Sequence, residues 1–370
     1  MENKTGIPIL YYHSIADHER ENEWSFLSIS ISLFKRQMDY LYKKGYYACD
    51  WKELDDHING VKKLPEKTVM FHFDDGFLDN WSVVFPIMKE KNFKYSIVVT
   101  PEFIEKGNVV RPFVNKTLDS NKADWWGYLN EAEIKFMSDS GLVDFQAHGY
   151  SHTWYESSDK LVDIDNGEKF YPHIGWNIFP EKKPYWLLNK VDTNPAYPVF
   201  EFKKSLELSN RFFPNETLIN SLLASYDKEK SKMQNFEIYE QIIEEFKEKG
   251  ESGRFENNEE ARQRLMHELE DTRKYISKIT GKPTDYLVFP GGGLSDLTIS
   301  LCKKAGYKLI SKGSNLNLYG SNIYQVERYS ATFTFPKLIN EYLNLLFLKL
   351  QLKRAKGNLV VTNLFNLLKS

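Results

Sequence analysis

Three short stretches of this chain bring together residue types that do chemistry. In Phe71-His72-Phe73-Asp74-Asp75-Gly76 an apolar run ends in two adjacent carboxylates and a glycine. Neighbouring carboxylates are costly to crowd unless a cation neutralises them or they serve different tasks. Asp-Gly is also a common turn dipeptide, so a solvated turn stands as the alternative. In His148-Gly149-Tyr150-Ser151-His152 two histidines lie four apart. On a helical turn or tight loop that spacing lets both imidazoles reach one ion. With Asp75 as a third ligand they make a 2-His-1-carboxylate set, which leaves positions open for water and substrate. In Phe289-Pro290-Gly291-Gly292-Gly293 the glycines free backbone N–H groups to meet an anion. The phosphate-binding GxxxxGK[ST] pattern is absent there.

Each stretch follows a brief apolar run of strand character. Such runs span residues 7–12, 68–73, 95–100, 142–147, 286–290 and 307–310. Helical spacing of apolar residues marks 34–42, 80–91, 130–137, 257–279 and 297–305, the last closed by Gly306. Strand and helix in alternation imply a parallel sheet, whose reactive residues collect at the C-terminal strand ends. From about 156 to 255 the rhythm is lost in a segment rich in aromatics and prolines, read as an insertion that overhangs the site as a lid. Trp154, just before it, with Trp176 and Trp186 forms either a wall on which an apolar ligand face could stack or the segment's own small core. Residues 336–370 carry six cations against the single acid Glu341. Leu338, Tyr342, Leu345, Leu346 and Leu350 suggest an apolar stripe, either docked on the barrel or laid on an anionic membrane.

Composition narrows the function classes. The 370 residues are 41% hydrophobic and 27% charged, enough apolar material for a packed core. A net charge of −2 provides no basic field for nucleic acid. Cys49 and Cys302 alone exclude a disulfide framework and any multi-thiolate zinc site, so a metal must be held by histidine and carboxylate. No secretory pattern and no spanning apolar run is visible, and the expected location is cytoplasmic, with peripheral contact at the inner membrane face as the membrane option.

Taken in order, the motifs resemble the polysaccharide deacetylase family, the NodB-homology or carbohydrate esterase family 4 enzymes. Phe73-Asp74-Asp75-Gly76 matches the first motif of that family, and His148 to His152 its histidine motif, with Gly149 where Ser or Thr is usual. Phe289-Pro290-Gly291-Gly292 resembles a later aromatic-proline motif. The opening Ile9-Leu10-Tyr11-Tyr12-His13-Ser14 resembles a subgroup that begins with a Tyr-His strand. The resemblance implies an α/β fold, a distorted (β/α)7-type barrel over 1–155 and 256–335, interrupted by the insertion and followed by the basic tail.

It further implies Asp74 as general base, Asp75, His148 and His152 as ligands of a divalent metal, with zinc favoured, and His13 as general acid. His72 stands where Thr or Ser usually precedes the motif, and strand alternation turns it to the side of Asp74. The usual arginine motif is missing, and Arg328 on a late strand is the candidate for its charge. His72, Pro290, Gly291, Gly292, Arg328 and Trp154 complete the expected substrate-side set. The implied reaction removes an N-acetyl group from an amino sugar in bacterial envelope-glycan assembly. Two alternatives remain: a non-catalytic glycan-binding relative and a metal-independent amide hydrolase on the same barrel.

Overall fold

The computed structural model describes residues 6–17, 27–113, 127–167, 169, 171–188, 196–291, 295–313, 324–333 and 340–367. Eight parallel strands form its centre: β1 Ile9–Tyr12, β2 Tyr47–Cys49, β3 Thr68–Phe73, β4 Tyr95–Val99, β5 Val143–Ala147, β6 Tyr286–Val288, β7 Leu309–Gly313 and β8 Tyr324–Ser330. Their order is β1-β8-β7-β6-β5-β4-β3-β2, and β1 also pairs with β3. Seven strands therefore make a ring, with β2 beside the first half of β3. Closure is thinnest between β5 and β6, where the register consists of Leu287 against Ala147.

Strands buried on both faces read as continuous apolar runs, and all six residues of β3 are buried. Alternation sorts them. Val69, Phe71 and Phe73 face the core under the helices, whereas Met70 joins Ile9, Val98, Tyr286, Val288 and Leu309 in the cluster that fills the barrel. The next inward positions along these strands are His72, Asp74, His148 and Arg328. The barrel interior thus changes from apolar to polar toward its C-terminal rim.

The helices follow the expected pattern with two informative departures. Helix Ile31–Lys43 is capped by the Ser30 side chain and buries Phe34, Met38 and Leu41. Residues 80–91 form a π-turn, Asn80–Val84, that runs into helix Phe85–Glu90. Pro86 lies in the first turn of that helix, where its missing N–H costs least. The long helix at 257–279 likewise contains a π-turn, His267–Asp271, between Asn258–Met266 and Thr272–Thr280. Such one-residue expansions often occur at functional sites.

Between β5 and β6 the chain builds an antiparallel hairpin, Trp154–Asp165 with Tyr197–Lys204, and two helices, Glu216–Ser225 and Lys232–Glu248. Leu161, Ile164, Phe200, Leu218, Leu222, Tyr239 and Ile243 give this segment a core of its own. At the C-terminus, helix Asn340–Ala355 packs on β8 and on helix Ile31–Lys43. The stripe expected from the sequence is docked only in part, through Leu345, which packs against the core. Leu348, Leu352 and Ala355 are buried, while Tyr342 is 74% exposed and Leu346 51%; Leu338 lies outside the described residues. Gln351, on the docked face, donates to the Ser330 carbonyl at 3.1 Å. Lys349 and Arg354 sit over the rings of Tyr40 and Tyr329. No helix among the described residues is long and apolar enough to cross a membrane.

Candidate active site

The two adjacent aspartates point apart because the backbone turns sharply between them. The Asp74 amide donates to the Tyr12 carbonyl at 2.9 Å, extending the β1–β3 ladder by one residue. Asp75 then takes φ 71° and Gly76 φ 69°. Aspartate tolerates the left-handed region better than most residues. Gly76 is required, since a Cβ there would lie 2.8 Å from Val99 Cγ1. Asp74 thereby stays on the inward face of the barrel, and Asp75 turns toward the loop after β5.

That loop holds His148 and His152. The His148 amide donates to Val99 O at 3.1 Å, and its Nδ1 lies 2.9 Å from Val288 O. A carbonyl only accepts, so Nδ1 carries the proton and Nε2 offers its lone pair toward Asp75. His152 has φ 45°, a conformation that costs a non-glycine residue roughly 1–3 kcal/mol. Gly149, the departure from Ser or Thr, has φ 78°, and a Cβ there would meet Glu268 Oε2 at 3.1 Å.

His148 Nε2 and His152 Nε2 lie 3.4 and 3.5 Å from Asp75 Oδ1, and the three donor atoms fall within 4.8 Å of one another. Tetrahedral zinc with bonds of about 2.1 Å separates its ligands by about 3.4 Å. The donor set and its spacing therefore fit a divalent ion. Burial holds the His152 imidazole down at about 4, which keeps its ring neutral and able to ligate near pH 7. The Asp75 carboxyl is pushed up by its burial, but the two histidines outweigh this and hold it below its ordinary value.

Asp74 is buried against Arg328, whose Nη1 lies 2.6 and 2.8 Å from the two carboxylate oxygens. Burial pushes the Asp74 carboxyl up, but Arg328, His13 and His72 together hold it well below the ordinary carboxylate range. Arg328 thus occupies the place the sequence suggested for it, and its guanidinium also lies over the Tyr11 ring. His13, at the end of β1, is the more open neighbour, with Nε2 3.7 Å from Asp74 Oδ2.

The expected substrate-side set needs correction. His72 is fully buried, edge-on against Trp51, and cannot touch a substrate. Its Nδ1 lies 2.8 Å from Arg328 Nη1. Because guanidinium only donates, Nδ1 must accept, and the proton sits on Nε2, which has no hydrogen-bond partner among the described residues. Burial drives its pKa well down, so the ring is neutral. Arg328 is likewise buried and acts on Asp74. Pro290 is buried, Gly291 is exposed and accepts from Lys204 Nζ through its carbonyl, and Gly292 lies outside the described residues. Trp154 is half-buried, edge-on to His152 and stacked on Trp176, so it joins an aromatic wall with Phe103, Tyr128 and Trp186 beside the metal-ligand candidates.

Sequence reasoning missed Glu268 and Lys183. Glu268, in the π-turn, accepts from the amides of Tyr150 (2.7 Å) and Ser151 (3.1 Å) and from Ser151 Oγ. Lys183, from the segment between β5 and β6, donates to Ser151 O and to Glu102 Oε2. A signal for Glu268 was present, because it falls in helical register with the buried Ala261, Leu265, Thr272 and Ile276, where an acid is out of place. Lys183 had none.

Residues 61–167 and 254–310 match the family model described as polysaccharide deacetylase. The matched residues take in barrel strands β3 to β6, and this part of the chain is similar to that family. Over 151 residues the chain is 32% identical to YxkH of Bacillus subtilis strain 168, covering 41% of this chain and 45% of that one. Over 214 residues it is 29% identical to the poly-β-1,6-N-acetyl-D-glucosamine N-deacetylase of Escherichia coli K12, covering 53% and 30%. The chain thus spans less than half the length of these relatives. Among solved structures, a de-N-acetylase from Aggregatibacter actinomycetemcomitans superposes with TM-score 0.56 at 19% identity, covering 90% of this chain and 99% of that one. The BpsB deacetylase domain from Bordetella bronchiseptica gives 0.50 at 15% identity, with 88% and 95% covered. At these identities the superpositions establish the fold.

Proposed function

We propose that this protein is a metal-dependent carbohydrate N-deacetylase that removes the acetyl group from an N-acetylated amino sugar of a bacterial envelope glycan. The observation that carries the reading is the convergence of Asp75, His148 and His152 on one point, with Asp74 adjacent on the same rim. Asp75, His148 and His152 would hold the ion, zinc by the chemistry of the donor set. When bound, it supplies Lewis acidity toward the acetamide carbonyl and toward water.

The remaining work falls to side chains of this chain. Arg328 keeps Asp74 ionised, so the carboxylate is always in its proton-accepting form when water attacks the carbonyl carbon. His72 keeps that guanidinium in place from behind. His13, on the open side of Asp74, is positioned to return a proton to the departing amine. Trp154 and Trp186, half-buried at the edge of an otherwise buried aromatic cluster, offer apolar faces for the sugar ring. Acetate and a free amino sugar are the products.

The Escherichia coli relative is named for a β-1,6-linked N-acetylglucosamine polymer, which supplies the substrate class to test. Acetate release from N-acetylglucosamine oligomers, measured before chelation, after chelation and after zinc is restored, tests the proposal. Release lost on chelation, regained with zinc and absent in Asp74→Asn supports it. Release indifferent to chelation favours the metal-independent hydrolase, and tight oligomer binding with no release under any metal favours the glycan-binding relative.

A further inference from the structure

The loop that presents His148 and His152 is gripped from opposite sides by two charged side chains that belong to neither motif. Glu268, 1% exposed, takes the amides of Tyr150 and Ser151 and the Ser151 hydroxyl. Lys183, also 1% exposed, gives its ammonium to the Ser151 carbonyl on the other face and to Glu102 at 2.7 Å. Its ammonium lies 5.1 Å from the Phe103 ring centroid and 5.4 Å from that of Trp176, so the charge is enclosed by aromatic faces as well as by its oxygen partners.

The Ser151 carbonyl belongs to the peptide that joins Ser151 to His152. Fixing that peptide fixes the direction in which the His152 side chain leaves the backbone, at a residue held at φ 45°. Val288 O orients His148 through its ring. The charged restraints on His152 act instead through the backbone before it, Lys183 through the Ser151–His152 peptide and Glu268 through the two peptides that precede that one, and Lys183 comes from the segment between β5 and β6, outside the part of the chain that matches the family model.

We infer that Lys183 and Glu268 are positioning residues for His152, and that the segment carrying Lys183 sets the metal affinity of the barrel in addition to covering its rim. The inference rests on the reading of Asp75, His148 and His152 as a metal site. Outer groups that orient ligands typically cost 10–100-fold in metal affinity when removed.

The test uses the full chain, stripped of metal, with zinc affinity read by competition against a chromophoric chelator and ligand geometry read from the visible spectrum of the cobalt(II)-loaded protein. Lys183→Met and Glu268→Gln should each weaken zinc binding by about tenfold or more and alter the cobalt bands. Lys183→Arg, which still donates to Ser151 O, should stay close to the parent in both. Should Lys183→Met not fold, Glu102→Gln perturbs the same ammonium from a partly exposed side chain, with a measurable weakening expected that is smaller than that of Glu268→Gln. Parent-like affinity and cobalt spectra in the folded variants overturn the positioning role alone. A parent that takes up neither zinc nor cobalt overturns the metal site and this role with it.

Discussion

Replacing Arg328 with methionine removes the cation that neutralises a buried carboxylate while keeping the volume of the side chain's stem. In the parent, Asp74 is 3% exposed and has Arg328 Nη1 at 2.6 and 2.8 Å from its oxygens. Leaving one charge of a buried pair uncompensated costs roughly 3–5 kcal/mol. A buried carboxylate escapes most of that cost by taking up a proton, and at 1.36 kcal/mol per unit the penalty corresponds to a pKa raised by about 2–4 units.

The sign of the pH dependence then reverses. In the parent the folded pKa is depressed, so the contribution of Asp74 is present above the unfolded carboxylate value near 4 and is lost only as pH falls through the lower, folded value. Between pH 5 and 8 it is flat. In Arg328→Met the folded pKa is raised, and stability falls with rising pH by up to about 1.4 kcal/mol per unit from about pH 4 until the raised folded value, at about 6 to 8, is passed. Urea unfolding of metal-free protein at pH 5, 6, 7 and 8, compared with the parent at each pH, measures this without reference to activity. An equal loss at every pH, or no loss, would refute the assignment of Arg328 as the counterion of Asp74.

Other outcomes follow from the same coordinates. Asp79 is buried and bonded to Ser14 Oγ at 2.5 Å, and burial raises its carboxyl to about 6. Its contribution of about 3 kcal/mol is complete below pH 4 and is lost as pH rises through 6, so the unfolding free energy of Asp79→Asn relative to the parent should rise across that interval. A pH-independent difference would count against it. His148→Ala with His152→Ala should abolish uptake of one zinc per chain while the fold survives, as read by metal content and circular dichroism. Gly76→Ala, at φ 69° and 2.8 Å from Val99, should cost about 1–3 kcal/mol in urea unfolding. On the C-terminal helix, Leu348→Ala should cost about 2–5 kcal/mol, whereas Leu346→Ser should stay within about 0.5 kcal/mol, because only the first is buried.

Fold class and metal-site candidates were legible in the chain because each rested on local chemistry. Apolar runs between amphipathic helices specify a parallel sheet, since both faces of each strand must be covered, and its closure into a barrel was implied by the resemblance of the motifs. Asp75, His148 and His152 stood out because the ligand chemistry needs those residue types directly after strands. Strand alternation alone put His72 on the side of Asp74. It could not say that the site is sealed there, so a residue expected to meet substrate proved to support Arg328 from behind.

The long-range features were decided by packing. Arg328 and Asp74 are 254 positions apart, and they meet because β1 pairs with both β8 and β3. Lys183 reaches the histidine loop only through the fold of a segment whose sequence lacks the barrel's period. The docked face of the C-terminal helix carries Asn344, Leu348, Gln351, Leu352 and Ala355, with Gln351 donating to the Ser330 carbonyl, so it mixes apolar burial with polar partners that a helical projection of apolar residues does not weigh. A sequence records which groups need partners. Which partners they find depends on chain closure and the satisfaction of buried polar groups, and those belong to the tertiary structure.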